Sequence, residues 1–366
     1  MSPTSIVWDT RALIQNELLP SVSTKWWPQL AFGLEAFSLR PFQSAGSNAR
    51  AVVANTNTAS SKVFRLLRNQ KLADQLGTVF DQLHLVKPGS FVNIDHSDVA
   101  GLTALVGAIQ TRNGRAIPCF VETTYAHHIP ASGSMRSTPR WQVLRAARAQ
   151  ERQYRSFTGH TIDSLQTMAD RLGFWPRLVF DRAFGNESII EHLSAEGAIF
   201  YIRLKAGRYV EQDGERIEVK QLKDNDATIC LYGLTLRVIR SPKGRRSPEP
   251  WYILTNDMRS SRTKVVRIYY HRFEIEETFK DTKHLFELHQ LKFTKPTSLK
   301  VVLWFVFLGI ALLYVVTEPR KQRIGTTNPK KLVSWVRQAY EQFERELMSY
   351  RRLTGLTPCY GDWGQG

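Results

Sequence analysis

The run Val301–Val316, VVLWFVFLGIALLYVV, is apolar on every side. A helix without a polar face has to be enclosed all round, either by lipid or by the interior of a large fold. The run falls short of the roughly 20 residues that span a bilayer, and Lys300 and Glu318 sit close on either side. Enclosure in protein is the expectation, with a membrane anchor as its competitor. A chain of 366 residues, 42% of them apolar, has the material for such a core and for about two domains.

Charge narrows the partners. Lys and Arg number 50 against 33 Asp and Glu, a formal charge of +17, which favours a polyanion, nucleic acid before anionic membrane. Cys119, Cys230 and Cys359 form no CxxC pair, which points to a reducing compartment and away from a disulfide framework or a zinc site. The opening MSPTSIVWDTRALIQNELLP has neither a basic start nor a continuous apolar stretch, so no secretory signal is expected.

Along the chain, residues 1–88 read as a helical domain. Asn48–Lys71 has the form helix, polar turn, helix, with Ser60 or Ser61 as N-cap. Lys62, Arg65 and Arg68 then face outward, as on a helix-turn-helix recognition helix or on an ordinary basic hairpin. FVNID is a strand expected to end at Asp95, with Asp98 in the loop beyond it. Two further strands surround Asn113-Gly114. A polar helical stretch over Arg140–Leu172 precedes RLVFD, a buried strand ending at Asp181, and AIFYIRLK follows as a fifth strand. Residues 206–258 read as a β-rich insertion outside the main sheet. Its loop Lys243–Arg246 suits either DNA or solvent. Pro329–Arg352 reads as a basic amphipathic helix within a C-terminal region 311–366. Cys119 and Cys230 fall in apolar strands and are expected to be buried and inert.

After the insertion comes YYHRFEIEETFKDTK, read as one helix. Tyr269, Arg272, Glu276 and Lys283 fall within an arc of about 60° on it, so one face offers a ring, two cations and a carboxylate. Such a face fits a phosphodiester under attack, and equally a solvated helix with i,i+4 ion pairs. Asp95, Asp181 and Glu276 could meet at one end of a mixed sheet. Three carboxylates there could not all stay ionised without a cation, for which Mg²⁺ or Mn²⁺, two ions in all, is the hard-oxygen match.

At these residues the chain resembles the insertion-sequence-4 family of DDE transposases. The resemblance rests on Asp95-His96-Ser97, on Asp181-Arg182-Ala183-Phe184-Gly185, and on the Y-x2-R-x3-E-x6-K pattern of Tyr269, Arg272, Glu276 and Lys283. It covers residues 90–310. It implies an α/β fold with an RNase H-like mixed sheet flanked by helices, a β-rich insertion before the glutamate helix and a catalytic domain over 89–310. It further implies metal ligation by Asp95, Asp181 and Glu276, and DNA contact by Tyr269, Arg272, Lys283 and Arg182. Trp251 stands where some members stack a tryptophan on a flipped base, though a core or edge-strand ring fits it equally.

The implied activity is cleavage of DNA at terminal inverted repeats and joining of the 3′-hydroxyl ends to target DNA. A homodimer in the synaptic complex, no membrane, and a cytoplasmic, nucleoid-associated location in a bacterium follow from it. Ala183 departs from the family pattern, which has glycine there; a turn needing positive φ would be strained by it. A transposase-derived DNA-binding protein without catalysis is the competing reading.

Overall fold

The computed structural model describes residues 56–99, 101–111, 115–126, 156–242, 249–285 and 293–324, with isolated helical positions at 29, 30, 33, 142–144, 146 and 147. The Asn113-Gly114 turn, the Lys243–Arg246 loop, most of the expected N-terminal domain, the Pro329–Arg352 helix and Cys359 lie outside the described residues.

Two helices open the described chain, α1 (Thr56–Leu67) and α2 (Gln70–Asp81). The polar TNTASS segment expected to be a turn is helical, so neither Ser60 nor Ser61 is an N-cap. Packing of Leu66 into the core overrides the weak propensities of the Ser/Thr run. The break falls later, at Asn69, whose side chain accepts from the Leu72 N–H at 3.1 Å and caps α2. Leu72, Leu76 and Phe80 follow at i, i+4, i+8 and all are buried.

The sheet begins as a meander of β1 (Phe91–Val99), β2 (Leu102–Ile109) and β3 (Ile117–Tyr125). β1 does not stop at Asp95. Its antiparallel ladder with β2 continues from Asp95↔Val106 to Val99↔Leu102, closing at Gly101 with φ 87°. Helix α3 (Phe157–Leu172) then runs to Gly173, a left-handed C-cap at φ 73°. It leads into β4 (Arg177–Phe180), α4 (Glu187–Ala195) and β5 (Phe200–Leu204). β4 pairs in parallel with β1 on one side and β5 on the other. The order β3-β2-β1-β4-β5, with helices against it, is compatible with the RNase H-like core that the resemblance implies.

The segment expected to stand apart does not. Strands β6 (Tyr209–Gln212), β7 (Glu215–Glu218), β8 (Asp226–Leu231), β9 (Leu234–Arg240) and β10 (Tyr252–Thr255) extend the same sheet to ten strands. The link is β10, antiparallel to β5 from Tyr252↔Leu204 to Thr255↔Tyr201 and to β9 on its other side. An unpaired β5 edge would leave backbone groups exposed, and β10 satisfies them.

Helices α5 (Arg262–Tyr270) and α6 (Phe273–Leu285) follow, with Ser261 capping α5 as the sequence suggests. The last is α7 (Pro296–Ile324), which runs unbroken across the expected domain boundary at 310. Val301–Leu308 are buried without interruption, so this first half of the apolar run is enclosed by protein. Among the described residues no helix is long and apolar enough to cross a membrane. α7 packs along the edge strand β3 and against α2 and α1. Lys300 reaches Glu122 at 2.8 Å, and Thr123 donates to the Pro296 carbonyl at 2.8 Å. One hydrophobic cluster thereby joins Phe80 of α2, Phe120 of β3 and Trp304 of α7, with Phe80 and Trp304 rings 5.9 Å apart.

Within this layer Arg171 lies over the Trp304 ring at 5.1 Å and meets Asp81 at 2.9 Å. Burial pushes the Asp81 carboxyl up to about 6 despite that guanidinium. The native state then holds a proton over roughly pH 4–6 that the unfolded chain has released, so stability from this group falls as pH rises through that window. Urea titrations at pH 7 and pH 5 should find the wild type gaining stability at the lower pH relative to Asp81→Asn; equal shifts in both would refute it.

Candidate active site

β4 reads RLVF, and Leu178, Val179 and Phe180 are buried on both faces of the sheet, as a strand with parallel neighbours requires. Its register against β1 ends at Ile94↔Phe180. The next residues in that register are Asp95, still within β1, and Asp181, the first beyond β4, so two carboxylates come from neighbouring positions where the two strands part. Asp181 leaves the strand and opens a 3-10 turn over Arg182–Phe184, where its Oδ1 accepts from the Ala183 N–H at 2.7 Å. Ala183 is not among the residues with positive φ, so the departure from glycine brings no backbone strain.

The pleat of β1 separates its polar residues. Asn93 and Asp95 point to the side of α5 and α6; the Asn93 amide donates to the His271 carbonyl at 3.0 Å. His96 points to the opposite face, its ring 4.3 Å from Phe157 and 5.2 Å from Phe184. Burial, and then the charge of His160, push the His96 imidazole down to about 4, so it stays neutral. Asp98 belongs to the strand and not to a loop, on the His96 side, and accepts from Thr103 across the ladder at 2.5 Å.

The YYHRFEIEETFKDTK stretch is two helices, not one. α5 ends at Tyr270 and α6 begins at Phe273. Tight hydrogen bonds such as Arg272 N–H to the Tyr269 carbonyl, 3.0 Å, turn the chain, and the His271 carbonyl accepts from both the Glu274 N–H at 3.1 Å and the Asn93 amide at 3.0 Å. Tyr269, Arg272 and Glu276 therefore sit on a helix end, a turn and a new helix, not on one face. α6 is fixed by the β2–β3 connection: Glu274 accepts from the Thr111 N–H and Thr278 from the Ala116 N–H, each at 3.0 Å. These two bracket Glu276.

Arg272, 6% exposed, joins the carboxylates. Its Nη2 is hydrogen-bonded to Glu276 and its Nη1 lies 4.0 Å from Asp95, while Phe273 stacks on its far side at 4.5 Å. Burial raises the Asp95 carboxyl to about 6; Arg272 opposes this, and the charges of Asp181 and Glu276 add to it. All three acidic groups thus feel one another through Asp95. Among the described residues no group of three or more His, Cys, Asp or Glu side chains is arranged to hold a metal ion. Carboxylate oxygens are the donors a hard divalent ion takes, but here Glu276 is turned to Arg272, whose guanidinium also lies beside Asp95.

Other expected contacts are placed differently. Tyr269 is 1% exposed and Trp251 8%, their rings 5.4 Å apart in an edge contact within the cluster behind β10. In this arrangement neither ring offers a face to a nucleotide, and Trp251 takes the place of a core aromatic. The backbone of Lys283 lies in α6, and its side chain falls outside the described residues. Lys62 and Arg65 are on α1, which packs against α7, and Arg68 is in the turn just after it; Arg65 and Arg68 are exposed, and Arg68 covers Phe64 at 3.8 Å. Asn256 does not cap a turn. It accepts from the Phe200 N–H and donates to the Ala198 carbonyl, tying β10 to the start of β5. Cys119 is buried as expected, whereas Cys230 is only half-buried.

Beside Asp181 opens a cleft of ≈550 Å³ bordered by Arg182, Asn186, Lys205 and Arg208. Lys205 and Arg208 escape a reading of the sequence that stops at the end of a strand. Their signal was the basic spacing Arg203, Lys205, Arg208 at the exit of β5.

A family model described as a transposase DDE domain matches residues 122–312, more than half of the chain. The match takes in Asp181 and Glu276 and begins beyond Asp95. No curated protein matches the chain.

If α6 is held by the β2–β3 connection, Thr278→Val removes both the 3.0 Å acceptor of the Ala116 N–H, leaving it only the longer 3.3 Å bond to the Glu274 carbonyl, and the 2.9 Å donor to the Ala116 carbonyl, and should cost about 1–3 kcal/mol of stability. Chemical denaturation measures this; a change below about 0.5 kcal/mol would mean that the tether contributes nothing.

Proposed function

We propose, from the premise that this chain belongs to the transposase DDE domain family, that it cuts DNA at the terminal inverted repeats of an element and joins the 3′-hydroxyl ends to target DNA. The observation that carries this reading is the parallel register that brings Asp95 and Asp181 to neighbouring positions, with Arg272 linking Asp95 to Glu276.

Both steps are phosphoryl transfers, in which positioning and charge neutralisation lower the barrier. Two Mg²⁺ or Mn²⁺ ions held by Asp95, Asp181 and Glu276 would supply the Lewis acidity that activates water or a 3′-hydroxyl and steadies the leaving oxygen. Arg272 keeps Asp95 and Glu276 from repelling each other in the resting protein, and the buried Tyr269 and half-buried Phe273 rings hold its guanidinium in place. Arg182, exposed on the turn after Asp181, is placed to meet a phosphate of the bound strand, and Lys283 extends the same helix as Glu276. Lys62 and Arg65 on α1, with Arg68 in the turn after it, supply a basic surface for the duplex of the repeat. Synapsis of two ends calls for two copies of the chain. The competing reading, DNA binding without cleavage, draws on the engagement of Glu276 by Arg272.

A plasmid-excision assay decides between them. Asp95→Ala, Asp181→Ala and Glu276→Ala should each reduce excision by at least about a hundredfold, roughly 2.7 kcal/mol in the barrier, and chelation of divalent ions should abolish it. Binding of end DNA should persist in all three variants. Excision by Asp95→Ala at the wild-type rate would sink the proposal.

A further inference from the structure

We infer that the β6–β9 extension carries a separate nucleic-acid site, one for unpaired nucleotides, in the cleft where β6 parts from β8. The inference rests on the transposase reading for its biological setting but not for its geometry. β6 and β8 share a single paired position, Glu211↔Cys230. Had the antiparallel ladder continued, Tyr209 would lie opposite Tyr232. Instead the strands diverge and leave a cleft of ≈530 Å³ bordered by Arg208, Tyr209, Arg216 and Tyr232, with Glu211 as the acid on its rim.

Three features of this cleft suit a strand with exposed bases. Each ring carries a guanidinium: Arg216 lies 4.8 Å from the Tyr209 centroid and Arg208 5.4 Å from that of Tyr232. Tyr209 is 48% exposed, so its ring is open to a base on the side that Arg216 does not cover. Tyr232 holds φ at 54°, in the left-handed region, as the first residue of the two-residue β8–β9 turn. Asn or Gly normally takes such a position, and a tyrosine retained there points to a use for its ring. Aromatic walls stack on any base, and the paired arginines add phosphate contact and cation–π attraction. A duplex hides its base faces, so the match is to unpaired DNA. Arg208 also borders the cleft beside Asp181. A single strand leaving Asp181 therefore meets Lys205, then Arg208, then the two tyrosines.

Fluorescence anisotropy on the full chain, without divalent metal, tests this with labelled oligothymidine and a labelled duplex of mixed sequence. The pair Tyr209→Ala and Tyr232→Ala should weaken oligothymidine binding about fivefold or more while duplex affinity stays within about twofold. Tyr209→Phe with Tyr232→Phe should restore it. Arg216→Ala should reduce the slope of log affinity against log salt by about 0.7, one single-strand phosphate contact. Unchanged oligothymidine affinity, or equal losses on both probes, would overturn the inference. Should the double variant fail to fold, Tyr209→Ala alone decides, since that ring is half exposed. The assay is blind to cleavage, so its failure leaves the dependence of excision on Asp95 and Asp181 untouched, and loss of that dependence leaves the binding result standing.

Discussion

β4 is a strand of four residues with a parallel neighbour on each side. Parallel pairing forces both faces of such a strand under cover, because the connections cross over the sheet. That one requirement accounts for much of the molecule. α3 and α4 lie with the face that carries Ile94 and Phe180, and α5 lies with the face that carries Val179 and Tyr201. It also fixes the chemistry, since the first positions released from the β1–β4 ladder are both aspartates.

Much of this was legible in the chain. FVNID and RLVFD are short apolar runs ending in carboxylates, and runs of that kind are buried strands in sequence as they are in space. The all-apolar Val301–Val316 signalled enclosure, and Val301–Leu308 of α7 are enclosed. What periodicity could not reach was where an element stops. β1 passes through Asp95 because its partner β2 continues, a fact written in Leu102–Val106 and not in FVNID. At the break between the two helices the His271 carbonyl is held by Asn93, far away in sequence, as well as by the Glu274 N–H. Helical spacing alone made one face out of what are two helices.

The extension after β5 illustrates the same limit from another side. Short strands with polar turns between them predict β-structure, and nothing local says whose edge they will join. Pairing of β10 with β5 makes them a continuation of the main sheet. The site suffers similarly. Residue identity suggested the three acids, but the guanidinium that spans two of them and the burial of Tyr269 and Trp251 are consequences of packing.

The sheet's two margins are treated in opposite ways. β3 disappears beneath α7, whereas β7, reading ERIE, ends the other side with alternating charge. A strand from another molecule would find the first blocked and the second electrostatically unwelcoming. Joining of this sheet to a sheet of another molecule is thus disfavoured at both margins of the described strands.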